Sequence, residues 1–235
     1  IALHESNSIL GLANGASLRF GSTLFWGLPP AEGSGKVVGT PVRPALYGTQ
    51  DAGEARRALG LDPAKKTVLV FGGSQGAQAI NNAMPKAMKD SGVDAQVLHL
   101  AGKGKSGETI ASYKSAGVTA TVLDYLDDMA AAYAAADIVV CRSGASTLAE
   151  LAAQQKTAIL VPYPHAAANH QDANARVFER SGAAVRIPET DLSTALGPKL
   201  AYMLKSSTAT KFGTLGLPPA EKTTALFVDE LERLV

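Results

Sequence analysis

From Lys65 onward, short apolar runs alternate with longer stretches of mixed polarity. The runs are TVLVFGG (67–73), AQVLHLAG (95–102), VTATVLDYL (118–126), ADIVVC (136–141), TAILVPYP (157–164) and AAVRIP (183–188). They are rich in β-branched residues and apolar throughout, the pattern of strands covered on both faces. Between them AQAINNAMPKAMKD, GETIASYKSAG, DDMAAAYAAAD, TLAELAAQQ and NHQDANARVFERSG read as helices. Strands joined by helical crossovers predict a Rossmann-like, doubly wound α/β domain with a parallel sheet. Right-handed crossovers bring every strand's carboxyl end, and the loop after it, to one edge.

The two ends depart from this pattern. Residues 1–45 are rich in glycine and proline around GLPPAEGSGKVVGTPVRP, and IALHE reads as the end of a buried strand. They are expected to be the tail of a preceding Rossmann-like domain plus a linker, in an N-terminally incomplete chain. Residues 46–205 make the main domain. In the stretch 206–235, SSTATKFGTLGLPP reads as a loop and AEKTTALFVDELERLV as a closing amphipathic helix.

Composition narrows the partners. Of 235 residues, 22 are basic and 21 acidic, a formal charge of +1. That balance argues against a nucleic acid held by bulk charge. Cys141 is the only cysteine, which excludes an intrachain disulfide and a cysteine-based zinc site and fits a reducing compartment. No apolar run reaches the ~20 residues that span a bilayer, and nothing reads as a signal peptide.

Three strand-end loops carry the candidate chemistry. FGGSQGAQAIN (71–81) joins a strand to a helix but fits neither a dinucleotide fingerprint nor a P-loop. Its free backbone N–H groups and helix dipole suit a phosphate, with Ser74 as an added donor. The plainer alternative is a tight turn with Ser74 capping the helix. CRSGASTLAE (141–150) repeats the design, with Gly144 and Ala145 allowing close backbone approach. Thr147 and Glu150 have the spacing of a capping box; equally, Glu150 would accept hydrogen bonds from a sugar diol. Arg142 pairs with a carboxylate or meets a ligand. PYPHAAANHQDANA (162–175) holds His165, Asn169, His170, Gln171, Asp172 and Asn174. Gln171 and Asn174 share a helix face and suit sugar hydroxyls, against an exposed helix start capped by Asn169. His165 and His170 lack a third ligand at helical spacing, so no metal is expected. Three such loops on one sheet edge point to a phosphate and sugar site there.

LHESN with GLAN, VGTPVRP, VFGGSQGAQAINNAMP, YLDDMAAAYAAADIVVCRSGASTLAELA and ILVPYPHAAANHQDANARVFERSGAAVRI together extend over most of residues 3–187. On these stretches the chain resembles the peptidoglycan N-acetylglucosaminyltransferases that make lipid II, of the two-Rossmann-domain (GT-B), family 28 type. The resemblance implies that 46–205 bind the nucleotide-sugar donor. It puts Ser74 on the donor's diphosphate and the Leu126 backbone at the uracil. Ala145, Ser146, Thr147, Leu148, Ala149 and Glu150 would run along the donor, with Glu150 on the ribose hydroxyls. Gln171 would face N-acetylglucosamine, and Asn7 and Arg43 the donor near the interdomain cleft. His4 and Glu5 are the weak catalytic candidates on the acceptor side; the plainer reading is a buried strand end with a satisfied polar pair.

The sequence departs from the family at Ser6 and Thr40, where Gln and Asn are usual, and in the short stretch FGSTLFWGLPPAEGSGK. The family's glycine-rich N-terminal loop, ending in a histidine and carrying the main candidate base, is not in the sequence. The implied reaction is inverting transfer from UDP-N-acetylglucosamine to the C4 hydroxyl of the muramyl sugar of lipid I, with no cofactor. It would take place at the cytoplasmic face of the cell membrane, and SLRFGSTLFWGL (17–28) is a candidate interfacial patch beside a packing role for Trp26. The alternatives are a non-catalytic UDP-sugar-binding module whose partner chain carries the acceptor half, and a UDP-sugar 2-epimerase, against which the motifs argue.

Overall fold

The computed structural model describes residues 1–48, 50–205 and 212–234. The six apolar runs form the strands β4 (Lys66–Phe71), β5 (Ala95–Leu100), β6 (Ala120–Leu123), β7 (Ile138–Cys141), β8 (Ala158–Leu160) and β9 (Ala184–Arg186). They build one parallel sheet in the order β6-β5-β4-β7-β8-β9. The first strand of this domain, β4, is central; the chain moves outward through β5 and β6, then returns to lay β7 on β4's other side. The strand order therefore reverses between β4 and β7.

The helices of this domain are α2 (Ala52–Ala58), α3 (Gln78–Ser91), α4 (Ser106–Ala116), α5 (Met129–Ala135), α6 (Ala145–Ala153), α7 (His170–Arg180) and α8 (Leu192–Lys205); α1 (Leu12–Leu18) precedes them and α9 (Thr223–Glu232) follows. Successive strand residues point to opposite faces, so uniformly apolar strands supply two cores. Val68, Val70, Val97 and Val140 pack with Ile80 and Met84 of α3, Tyr113 of α4 and Leu196 and Leu200 of α8. Leu69, Phe71, Leu98 and Val139 pack with Tyr133 of α5, Leu148 of α6 and Phe178 of α7. This is a doubly wound α/β sheet of the Rossmann type.

Residues at the start form a smaller parallel sheet, β1 (Ala2–Glu5), β2 (Thr23–Trp26) and β3 (Lys36–Val37), in that order. The closing helix α9 lies against it: Phe227 meets the rings of His4 and Phe25, and Lys36 pairs with Glu230 at 3.1 Å. Phe25 and Trp26 are buried. Of the two readings of 17–28, packing is the one found for Phe25 and Trp26, and of the aromatics there only Phe20 is exposed. Of the loop expected at 206–219, residues 206–211 lie outside the described residues.

Candidate functional site: the carboxyl edge of the sheet

The loop after β4 is shaped by glycine. Gly73 and Gly76 have φ of +90° and +69°. A Cβ on Gly76 would stand 2.0 Å from the Ala101 carbonyl oxygen, and one on Gly102 would stand 2.6 Å from Gly76 N. The loop after β4 thus interlocks with the loop after β5, and Lys105 Nζ donates to Gln75 O at 2.8 Å across the same contact. Ser74 is exposed at the tip. It does not cap α3: the N-cap is Ala77, and no side chain caps the helix. The capping alternative for Ser74 is corrected, and the start of α3 stays open to a ligand.

Beneath this loop lies a buried polar chain that the sequence did not announce. Asn81 Nδ2 donates to Ala101 O at 2.9 Å, so its Oδ1 accepts from His99 Nε2 at 3.0 Å. His99 Nδ1 is then the acceptor for the Tyr113 hydroxyl at 2.9 Å. Burial drives the His99 pKa down to about 4, so the ring is neutral and the tautomer fixed.

The loop after β7 sits beside the loop after β4, at the point where the strand order reverses. Gly144 is the N-cap of α6, with no side-chain cap and open space where a Cβ would be. Glu150 is therefore the sixth residue of the helix, beyond its first turn, and the expected Thr147–Glu150 capping box does not form. The Glu150 carboxylate accepts instead from the Tyr133 hydroxyl at 2.9 Å. Ser146 is exposed, and Ala145, Thr147 and Glu150 are half-buried. Leu148 is fully buried, with its N–H given to Gly144 O at 3.0 Å, and Ala149 is also buried. Those two residues frame the segment from behind.

Arg142 reaches along this edge to the loop after β8. It donates to Val161 O and Pro162 O at 3.2 and 3.1 Å, pairs with Glu189, and lies 5.3 Å from the Tyr163 ring centroid. Of the two readings for Arg142, the carboxylate pairing is the one found.

The polar set after β8 divides into two roles. Gln171 Oε1 accepts from Tyr163 N at 3.0 Å, and its backbone carbonyl accepts from Ser143 Oγ at 2.8 Å. Its side chain is half-buried beside the start of α6. Asn174 is fully buried and serves the backbone: its Oδ1 accepts from Ser8 N at 2.8 Å, and its Nδ2 donates to Asn7 Oδ1 and Ser143 O at 3.0 and 3.1 Å. The expectation that Asn174 meets sugar hydroxyls is corrected, because every polar atom of its amide is spoken for. Asn169 does not cap α7 either; it takes a left-handed conformation, φ +55°, with no capping bond.

Through Asn174, Asn7 is tied to the same edge. Glu5 is buried and accepts from Asn7 N, Asn7 Nδ2, Gly11 N and Asn14 Nδ2 at 2.8–3.2 Å. Burial alone would raise its pKa, but these hydrogen bonds outweigh it and hold the carboxyl below its ordinary value. His4 gives Nε2–H to Gly39 O at 2.9 Å, leaving Nδ1 as the acceptor, with Ser6 Oγ 3.5 Å away. The two side chains do not form a pair; each finds partners of its own. Arg43, in the connection between the sheets, is exposed. Leu126 and Ala145 pack on one apolar cluster, beside the exposed ring of Tyr125. Among the described residues, no group of three or more His, Cys, Asp or Glu is arranged to hold a metal ion.

The arrangement thus offers two uncapped helix starts at a reversal of strand order, a half-buried carboxylate behind one of them, and amides on the next loop. Anionic groups belong at the helix starts and a diol at the carboxylate.

Comparison with known proteins agrees with this architecture. Residues 67–213 match the glycosyltransferase family 28 C-terminal domain. A relative from Chromohalobacter salexigens, named UDP-N-acetylglucosamine--N-acetylmuramyl-(pentapeptide) pyrophosphoryl-undecaprenol N-acetylglucosamine transferase, is 39% identical over all of this chain and 64% of its own length. One of the same name from Burkholderia lata is 41% identical over 83% of this chain and 54% of its own. The crystal structure of Acinetobacter baumannii MurG superposes with a TM-score of 0.79 at 28% identity, covering 99% of this chain and 66% of that one. The chain therefore spans about half to two thirds of the length of the relatives it matches. With the sheet order, the open helix starts and the matched span in agreement, the chain belongs to glycosyltransferase family 28.

Proposed function

We propose that this chain carries the donor-binding part of a transferase that moves N-acetylglucosamine from UDP-N-acetylglucosamine to the C4 hydroxyl of the muramyl sugar of lipid I, forming lipid II. The observation that carries the reading is the pair of uncapped helix starts, α3 and α6, on adjacent loops at the reversal of strand order. In this reading the diphosphate lies between Ser74 and the 145–147 backbone. Glu150 takes the ribose hydroxyls, and the uracil lies at the Leu126 backbone beside Tyr125. Gln171 turns its amide to N-acetylglucosamine, Arg43 closes the donor site from the connection side, and Asn7, its amide already held by Glu5 and Asn174, borders it there. The names of the relatives support this choice of donor and acceptor.

The chemistry follows from charge. The acceptor hydroxyl attacks the anomeric carbon from the face opposite UDP. The new C–O bond forms as the bond to the diphosphate breaks, inverting the configuration, and the hydroxyl proton passes to a base. His4, whose Nδ1 lone pair meets only the Ser6 hydroxyl at 3.5 Å, is a better candidate for that base than Glu5, whose carboxylate takes four hydrogen bonds. Negative charge grows on the departing diphosphate. Backbone N–H groups and helix dipoles aimed at that charge stabilise it, each charge-assisted bond contributing roughly 1.5–3 kcal/mol. The acceptor is lipid-linked, so the site of action is the cytoplasmic membrane surface. Among the described residues no helix is long and apolar enough to cross a membrane.

Calorimetry of the chain with UDP, and an assay with a lipid I analogue and labelled donor, test the reading. Micromolar UDP binding that displaces UDP-N-acetylglucosamine is the expected result. Absence of affinity for UDP would overturn it.

A further inference from the structure

Helix α5 is built of alanine apart from Met129 at its start and Tyr133 in its middle. The ring is fully buried and meets Phe71, the last residue of β4, edge-on at 6.1 Å and 82°. The hydroxyl is buried with the ring, and it donates to Glu150 Oε2 on the neighbouring helix at 2.9 Å. The other oxygen, Oε1, has no hydrogen-bond partner among the described residues. A ring clamped in the core therefore holds one end of a carboxylate and leaves the other end free.

We propose that Tyr133 is a positioning residue: its hydroxyl fixes the Glu150 carboxylate so that Oε1 faces the vicinal hydroxyls of a ribonucleoside diphosphate, making the site selective for ribose over 2′-deoxyribose. The proposal rests on Glu150 being the ribose-binding carboxylate and adds how that carboxylate is aimed. A glutamate side chain has several rotatable bonds, and each rotamer frozen on binding weakens affinity. Anchoring Oε2 to a group that is already immobile removes that loss before the ligand arrives. Burial, and after it the Glu150 charge, push the Tyr133 pKa well above its ordinary value. The phenol therefore stays protonated and donating across the working pH range.

Tyr133→Phe removes the hydroxyl and keeps the ring against Phe71. Wild type, Tyr133→Phe and Glu150→Gln are titrated calorimetrically with UDP and with 2′-deoxy-UDP, beside melting curves. Wild type is expected to prefer UDP. Tyr133→Phe is expected to bind UDP about tenfold more weakly, the ordering cost of one rotamer-rich side chain that must now be fixed on binding, with 2′-deoxy-UDP affinity nearly unchanged. In Glu150→Gln the tyrosine still holds the amide oxygen, but the bonds to the ribose lose their charge assistance, so the preference for UDP should shrink severalfold with little change in melting temperature. If Tyr133→Phe keeps the wild-type preference, with or without a lower melting temperature, the hydroxyl only supports the fold and the proposal fails. If Tyr133→Phe does not fold, retention of the full preference by Glu150→Gln overturns the proposal. A wild type with no preference for UDP defeats the ribose reading of Glu150 itself, a different failure.

Discussion

The carbonyl oxygen of Ala101 occupies the place where a side chain on Gly76 would begin, 2.0 Å from the position of its Cβ. The loop after β4 therefore takes its shape from the end of β5. Gly76→Ala would add both a backbone clash and strain at φ +69°. A loss of at least about 2 kcal/mol in denaturant stability is expected. UDP affinity should fall as well, because the residues around Ser74 must move. Urea unfolding and calorimetry on the same preparation check both effects.

Glu150→Ala should separate binding from folding. It removes the acceptor of the Tyr133 hydroxyl, a cost of about 1 kcal/mol in a half-buried setting. On the proposed function it also removes both contacts to the ribose, so UDP affinity should drop more than tenfold. Unchanged affinity with a lowered melting temperature would leave Glu150 with a structural role alone.

Asn174→Ala should do the reverse. It strands Ser8 N, Asn7 Oδ1 and Ser143 O, which join the small sheet to α7 and to the loop after β7. Leaving buried polar groups without partners should lower stability by about 2–4 kcal/mol, seen as an earlier urea midpoint. Asn174→Asp keeps the acceptor for Ser8 N but sets a carboxylate against two oxygens, and should be no better.

His99 predicts the acid limb of the stability curve. Its folded pKa is about 4, against an ordinary value near 6.5. Between these values the unfolded chain binds a proton that the folded chain refuses, so stability falls as pH drops from 6.5 to 4. The contribution is roughly 3 kcal/mol over that window. In His99→Gln that component is absent, so the fall in urea-denaturation free energy from pH 7 to pH 4.5 should be shallower than in wild type.

The six strands of the main sheet were legible because burial on both faces requires both alternating sets of residues to be apolar. Val68 and Val70 serve one core while Leu69 and Phe71 serve the other. The small sheet was harder to read: β3 has only two residues, and its partners lie among prolines and glycines. Helix α8 escaped notice because Gly197 and Pro198 interrupt its pattern; Gly197 in fact lets α8 approach α3, its Cβ position being 3.2 Å from Ala87 O. At the site, Thr147 and Glu150 imitated a cap because spacing alone cannot say where a helix begins, and here it begins after Gly144. Tyr133 was invisible for a related reason. An alanine-rich run declares helix strongly, and one aromatic within it reads as core until its hydroxyl is seen to reach a carboxylate.

The polypeptide crosses between its two sheets twice. It leaves the small sheet through 40–44 and returns to it through 216–219, where α9 docks on Phe25 and His4. Each crossing contains prolines, Pro41 and Pro44 in one and Pro218 and Pro219 in the other. Proline fixes its own φ and restricts the residue before it, so both connections are stiffer than ordinary loops. Separating the small sheet from the main one would therefore require two stiffened segments to bend together, besides breaking the bonds that Asn174 makes to Ser8 and Asn7.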